Sequence, residues 1–336
     1  MTGFAELPGR IAALTREHER VAVVLLDAFG WAFVQRHADH PFLRRLEIEP
    51  VASQFPSTTT AHLTTLYTGL PVEQHGLYEW QIYEPALDAI VLPLPFIGDD
   101  GGPLTLDPRV LLPGPTFFEQ LDVPSLALQP KAIWPSTYSS AALAGADVLP
   151  FGHFTEGVAQ LGTRSGLTYL YWDAIDAAGH RHGPSSPEFD NAAIAALDAL
   201  ETVRDTIIVV TADHGQLDVG SEIDYLDVIW PELLEHLRFG PCGSARDCFL
   251  HVDDPDTVVG ELAQRLGERA EVHLAAELFP DAGPRLKARL ADVCVLPAQG
   301  RMAWLAAHPS RQLHFKGHHG GRTAAEAETW VGIMQA

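Results

Sequence analysis

Cysteine is scarce in this chain. Cys242, Cys248 and Cys294 are the only three among 336 residues. They are too few, and come too late, for a disulfide framework, so reduced thiols and a cytoplasmic location are expected. Long apolar runs are missing: no stretch approaches the ~20 residues that span a bilayer. The N-terminal MTGFAELPGRIAALTREHER is charged and amphipathic, without the apolar h-region of a secretory signal. Basic charge is scarce as well, with 22 Lys and Arg against 44 Asp and Glu, a net charge of -22. That balance argues against nonspecific nucleic-acid binding and against docking on an anionic membrane. It leaves open a small phosphate-bearing molecule, provided metal ions supply positive charge locally. The Gly/Pro/Asp-rich segment 96–115, FIGDDGGPLTLDPRVLLPGP, lacks the glycine spacing and the Lys-Ser/Thr ending of a P-loop. There is no internal repeat and no low-complexity tract.

What is present is a large apolar fraction, 46%, ample for a sizeable core. VAVVLLD at 21–27 is a continuous apolar run ending in an acid, the pattern of a buried parallel strand. TIIVVTADH at 206–214, LTYLYWD at 167–173 and SLALQP at 125–130 repeat it. NAAIAALDALETV at 191–203 reads as a helix between strands. Alternating strands and helices predict one α/β domain over 1–336, a three-layer α/β/α sandwich with a mostly parallel central sheet. From about 217 to 305 the pattern changes to short strands and amphipathic helices, such as CFLHV and TVVGELAQRLGERA. A small α+β insertion, an inserted lid on the core, is expected there.

In open α/β sheets the active site lies beyond the carboxyl ends of the strands. Asp27, Asp213 and His214 fall at such ends, and Asp176 and His180 follow in DAIDAAGHRHG. His318 and His319 stand in FKGHHGG near the C-terminus. Each motif alone has an ordinary reading as a turn, a cap or a surface pair. Together they place acids and imidazoles at several sheet ends at once. Carboxylate and imidazole donors without clustered cysteines suit Zn²⁺ in an open site, or Mn²⁺, with ligands enough for two ions.

The hydroxyls Ser57, Thr58, Thr59 and Thr60 follow Pro56 in FPSTTTAHLTTLYTGL. From Ala61 the apolar positions Leu63, Leu66, Tyr67 and Leu70 keep helical spacing, so the hydroxyls sit at or before a helix N-terminus. One of them serves as an N-cap on the plain reading. The same place offers free N–H groups to a phosphate, and a metal beside a hydroxyl would make it a nucleophile.

These segments resemble the alkaline phosphatase superfamily, in particular its type I phosphodiesterase/nucleotide pyrophosphatase branch. VVLLDAFGW, FPSTTTAHLTTLYTGLPVEQHG, YWDAIDAAGHRHGP, TADHG and GHHGG match that family's motifs in order over most of the chain. The resemblance implies a metal-dependent phosphoric ester hydrolase working through a phosphothreonine intermediate. It makes Thr59, three residues after the proline, the nucleophile. It assigns Asp27, Asp213 and His214, with Thr59, to one divalent ion, and Asp176, His180 and His319 to the other. His319 is preferred over His318 because Gly317-His318-His319-Gly320 fits the family's Gly-x-His-Gly. The implied partner is a small phosphate ester, with nucleotides among the candidates.

Phosphodiesterase members often carry an Asn at the helix start that contacts a phosphoryl oxygen. Here Thr60-Ala61-His62 stands in that place, which leaves His62, Thr60 or a backbone N–H for the contact and keeps diesters and monoesters both open. Alternatives on the same scaffold are a phosphomonoesterase and a metal-dependent phosphomutase; a non-catalytic metal- or phosphate-binding protein is the alternative of another class. Trp31, Tyr78, Trp80 and Tyr83 are aromatic candidates for stacking on a substrate ring. Cys242 and Arg246 have the Cys-x-x-x-Arg spacing of a sulfatase motif, but they lack its proline and follow TADHG, so no catalytic role is assigned to them.

Overall fold

The Arg20–Leu26 strand is apolar along its length because both of its faces are covered. In the computed structural model, which describes residues 3–334, Val21, Val23 and Leu25 enter one core while Ala22, Val24 and Leu26 enter a second. The strand lies at the centre of a seven-stranded sheet. Its order is Glu47–Ala52, Glu328–Met334, Ile207–Thr211, Arg20–Leu26, Gly166–Trp172, Ser125–Pro130, Asp147–Phe151. Every pairing from Ile207–Thr211 to Asp147–Phe151 is parallel. Only Glu328–Met334 runs against the rest, antiparallel to both neighbours. Helices Leu7–Glu17 and Thr59–Thr68 cover the first face through Leu7, Ile11, Ala61 and Leu66. Helices Trp31–Arg36 and Pro187–Leu200 cover the second through Phe33, Phe189 and Leu197. This is the α/β architecture with a mostly parallel sheet that the strand pattern predicts.

The local differences have physical causes. The helix expected at 191–203 starts at Pro187, because Ser186 caps it by accepting the Phe189 amide and proline suits its first turn. The 206–214 run is a strand only over Ile207–Thr211; Asp213 and His214 lie in the turn beyond. The antiparallel Glu328–Met334 strand had no counterpart in the sequence reading.

The segment 217–305 builds a second, antiparallel sheet in the order Cys242–Ser244, Asp247–Leu250, Val293–Pro297, Ala270–Leu274. Helix Pro255–Leu266 lays Val258 and Leu262 into a third core with Leu250, Val293 and Val295. The alternate residues Phe249, Cys294 and Leu296 join the first core. Near its ends, Leu217–Asp218 pairs with Gly317–His318 and Ile223–Tyr225 with Met302–Trp304. No helix among the described residues is long and apolar enough to cross a membrane.

Arg246, from the Cys-x-x-x-Arg run, is a cross-link between this sheet and the C-terminal segment. It is buried, and its Nε and Nη2 donate to the two carboxylate oxygens of Glu326 at 2.9 and 3.0 Å. Its Nη1 donates to the Ala298 carbonyl at 2.8 Å. Glu326 in turn accepts the Gly321 amide at 3.1 Å, two residues after His319. Removing one member leaves a buried charge without its partner. Glu326→Ala is expected to cost about 3–5 kcal/mol of unfolding free energy. Urea unfolding with a chelator present measures it, and a loss under about 1 kcal/mol would remove the pair from this role.

Candidate metal centre

Asp27 leaves the central strand at its carboxyl end, where its amide donates to the Trp172 carbonyl of the neighbouring strand at 3.0 Å. The chain then turns through Ala28, a buried residue with φ of 61°, a left-handed conformation that disfavours side chains. That turn aims the Ala28 amide at Asp213 Oδ1, 3.1 Å away. The His214 amide reaches the same oxygen at 3.0 Å. Asp213 is fixed through one oxygen, and its other, Oδ2, is buried without a hydrogen-bond partner. His214 Nε2 lies 3.5 Å from Asp27 Oδ1 and from Asp213 Oδ2. Asp27, Asp213 and His214 therefore present three donor atoms to one point.

A second group adjoins the first. Asp176 and His180 lie one turn apart on helix Ala174–His182, with Nε2 3.3 Å from Oδ1. His319 arrives from the C-terminal segment, its Nε2 3.3 Å from His180 Nε2 and 3.6 Å from Asp176 Oδ1. The rings of His214 and His319 stack at 3.8 Å between centroids, joining the two groups. His318 is buried outside both, its Nδ1 against backbone of His319.

The three imidazoles share a hydrogen-bond pattern. Nδ1 of His180, His214 and His319 faces the carbonyls of Gly317, Gly215 and Ser57 at 2.8, 3.0 and 2.8 Å. A carbonyl there requires the proton on Nδ1 and leaves the Nε2 lone pair free. Burial pushes His214 and His319 well below the ordinary imidazole range, so both are neutral. Burial, then repulsion from Asp213, raises the Asp27 carboxyl well above its usual value. Burial likewise raises Asp213, and raises Asp176 to about 6. Two buried acids, the half-buried Asp176, free Nε2 lone pairs and an unpartnered Asp213 Oδ2 form two groups that could each hold a metal ion.

Of the hydroxyl run, Thr59 is the one delivered to this centre. It is the first residue of helix Thr59–Thr68, and its Oγ1 lies 3.2 Å from His214 Nε2 and 3.5 Å from Asp27 Oδ1. Thr58 occupies the N-cap position, but its side chain makes no cap hydrogen bond. Ser57 binds the other side of the site: its Oγ donates to the Gly321 carbonyl at 2.8 Å and accepts the Gly320 amide at 3.1 Å. Thr60 Oγ1 is buried without a partner. His62 is fully engaged away from the centre. Its Nδ1 donates to the Thr58 carbonyl at 2.7 Å, and its Nε2 accepts the Gln54 amide at 2.9 Å.

Several supporting residues escaped the sequence reading. The Tyr171 hydroxyl donates to Asp27 Oδ2. Gln216 Nε2 donates to Asp176 Oδ1 at 2.5 Å. Ser244 Oγ, from the second sheet, donates to the His319 carbonyl at 3.3 Å. Gln216 follows the Asp-His-Gly motif directly, a signal that could have pointed to it; Tyr171 and Ser244 carry none. Among the aromatic candidates, Tyr78 is core, edge-on to Phe249, and Tyr83 packs on Phe239. Trp80 is exposed.

With this sheet and its two adjoining acid–imidazole groups goes a family match that puts the chain in the class of phosphoric ester hydrolases. Within it, the chain belongs to the family of type I phosphodiesterases and nucleotide pyrophosphatases, whose model matches residues 21–121 and 136–322. Members of this family use divalent metal ions. Solved structures with the same fold include murine ectonucleotide pyrophosphatase/phosphodiesterase 5, an inactive threonine-to-alanine form in complex with AMP. It is 18% identical, with a TM-score of 0.68 over 94% of this chain and 88% of that one. Phosphonoacetate hydrolase from Sinorhizobium meliloti 1021, in complex with phosphonoformate, is 16% identical, with a TM-score of 0.69 over 94% of this chain and 89% of that one.

A cation bound at Asp176 would release protons, because its carboxyl is raised. With its value at about 6, Asp176 is near half-protonated at pH 6 in the cation-free protein and ionised at pH 8. Calorimetric titration of Zn²⁺ or Mn²⁺ in buffers of different ionisation enthalpy is expected to show more protons released per protein at pH 6 than at pH 8. Equal release at both would contradict the raised value.

Proposed function

We propose that this chain is a two-metal phosphodiesterase with Thr59 as its nucleophile. Asp27, Asp213 and His214 would hold one divalent cation beside Thr59, and Asp176, His180 and His319 the other, with Zn²⁺ preferred and Mn²⁺ second. When bound, such cations neutralise the phosphoryl charge and favour an ionised hydroxyl. The observation that carries the reading is the position of Thr59 Oγ1, 3.2 Å from His214 Nε2 and 3.5 Å from Asp27 Oδ1. It is the one hydroxyl of its run set between an acid and an imidazole of the candidate centre.

Thr59 Oγ attacks phosphorus in line, forming a phosphothreonine and releasing the alcohol. Water then attacks the same phosphorus from the vacated side and frees Thr59. The helix start supplies backbone N–H groups of Thr60 and Ala61, which have no partner within the helix, to a phosphoryl oxygen. They take the place of the Asn side chain, since both nitrogens of His62 are committed elsewhere. The inactive threonine-to-alanine form of the murine neighbour agrees with a nucleophilic threonine, and its AMP with a nucleotide-like substrate. A phosphomonoesterase is the second reading, favoured by the absence of that Asn at 60–62.

Thr59→Ala is expected to keep cation binding and lose turnover by roughly a thousandfold or more, the scale on which removal of a catalytic nucleophile acts. Activity is measured on the chelated enzyme with Zn²⁺, Mn²⁺ or Mg²⁺ restored, using p-nitrophenyl phosphate, its bis diester and p-nitrophenyl phenylphosphonate. An active Thr59→Ala enzyme would sink the nucleophile assignment. Preference for the monoester would shift the reading to the phosphomonoesterase.

A further inference from the structure

A cavity of about 620 Å³ opens between residues 220–225 and 305–316. It adjoins the second half of the centre through Phe315, which lines the cavity and whose ring packs on the His180 imidazole at 4.1 Å between centroids. The wall is tied to the same helix: the Lys316 amide donates to the His180 carbonyl at 2.8 Å. The Val219 amide holds the Lys316 carbonyl at 2.9 Å. The polar lining side chains are Ser221, Tyr225, Ser310, His314 and Lys316. None of the lining residues is a carboxylate, in a chain with 44 Asp and Glu. Lys316 is one of only three lysines, with Lys131 and Lys287. A cation in a carboxylate-free cavity beside an acidic centre selects an anion, and Phe315 with Tyr225 offers flat apolar faces beside it.

We propose that this cavity is the leaving-group site, and that it takes an alcohol built on a flat ring and carrying an anion of its own. The inference rests on the reading of Thr59 as nucleophile. In-line displacement sends the departing oxygen away from Thr59, toward the Asp176, His180 and His319 side. The cavity lies beyond that side, one aromatic ring from His180. Lys316 pairs with the anion of the departing alcohol, and the ring rests against Phe315.

The test has a binding arm and a kinetic arm, on the full chain. By calorimetry, 4-hydroxybenzoate is expected to bind roughly tenfold or more tightly than phenol, the scale of one charge-assisted hydrogen bond. Lys316→Met should abolish that preference and Lys316→Arg should keep it. For hydrolysis, the ratio of kcat/KM for methyl 4-carboxyphenyl phosphate over methyl phenyl phosphate should fall about tenfold in Lys316→Met. Equal binding of both alcohols, or a preference that survives Lys316→Met, overturns the anion site. Equal kcat/KM for both esters overturns the leaving-group role. If neither ester is hydrolysed while 4-hydroxybenzoate still binds through Lys316, the diesterase reading fails and the carboxylate-binding cavity stands.

Discussion

The in-register parallel pairing of the central strand with both neighbours is the constraint from which the rest follows. Arg20–Leu26 pairs with Gly166–Trp172 on one side and with Ile207–Thr211 on the other. Parallel strands end at the same edge, so the residues that follow them emerge side by side. Asp27, Asp213 and the Asp176–His180 helix converge for that reason, although they are far apart in sequence. The two apolar faces that hold the strand in place also hold these groups in place. A slip of one residue would exchange the two cores and carry Asp27 away from Asp213.

What the sheet brings together is electrostatically costly without a counterion. Asp27 and Asp213 are buried and Asp176 half-buried beside them, and each carboxyl is raised, desolvation being the largest cause. Among the described residues, Asp27, Asp176 and Asp213 have only His as ion-pair partners, not Lys or Arg. The protein supplies instead three imidazoles whose Nδ1 protons are committed to backbone carbonyls, which keeps the Nε2 lone pairs inward. With the two cations proposed for it, such a site would let so acidic a chain take an anionic ester.

The helix start and the second sheet complete the frame. Ser57 is bound to Gly320 and Gly321 through side chain and backbone, and its carbonyl receives His319 Nδ1. Thr59 stands two residues further on. One short turn therefore ties the candidate nucleophile to a donor of the opposite group, across most of the chain length. Ser244, and Arg246 through Glu326 and Gly321, brace the same turn from the second sheet. That sheet is thereby part of the site's support as well as of the surface around it.

The sequence by itself determined the class of fold and the identities of the chemical groups. Period-two burial on both faces leaves a visible apolar run, and an acid at the end of such a run is visible as well, so VAVVLLD and TIIVVTADH were legible. The choice of Thr59 and of His319 came from motif resemblance; the hydroxyl run and the His-His pair are ambiguous in composition alone, and in the fold Thr59 lies beside His214 and His319 beside His180. Only the tertiary structure decided the rest. Tyr171 and Gln216 reach Asp27 and Asp176 through folding, Arg246 meets Glu326 across two segments, and the Glu328–Met334 strand finds its antiparallel place beside Ile207–Thr211. His62 looked free to face a phosphate and is committed to Thr58 and Gln54. Such contacts depend on which residues from distant segments meet and at what angle. Local propensity carries no record of that, because it is set by packing of the whole chain.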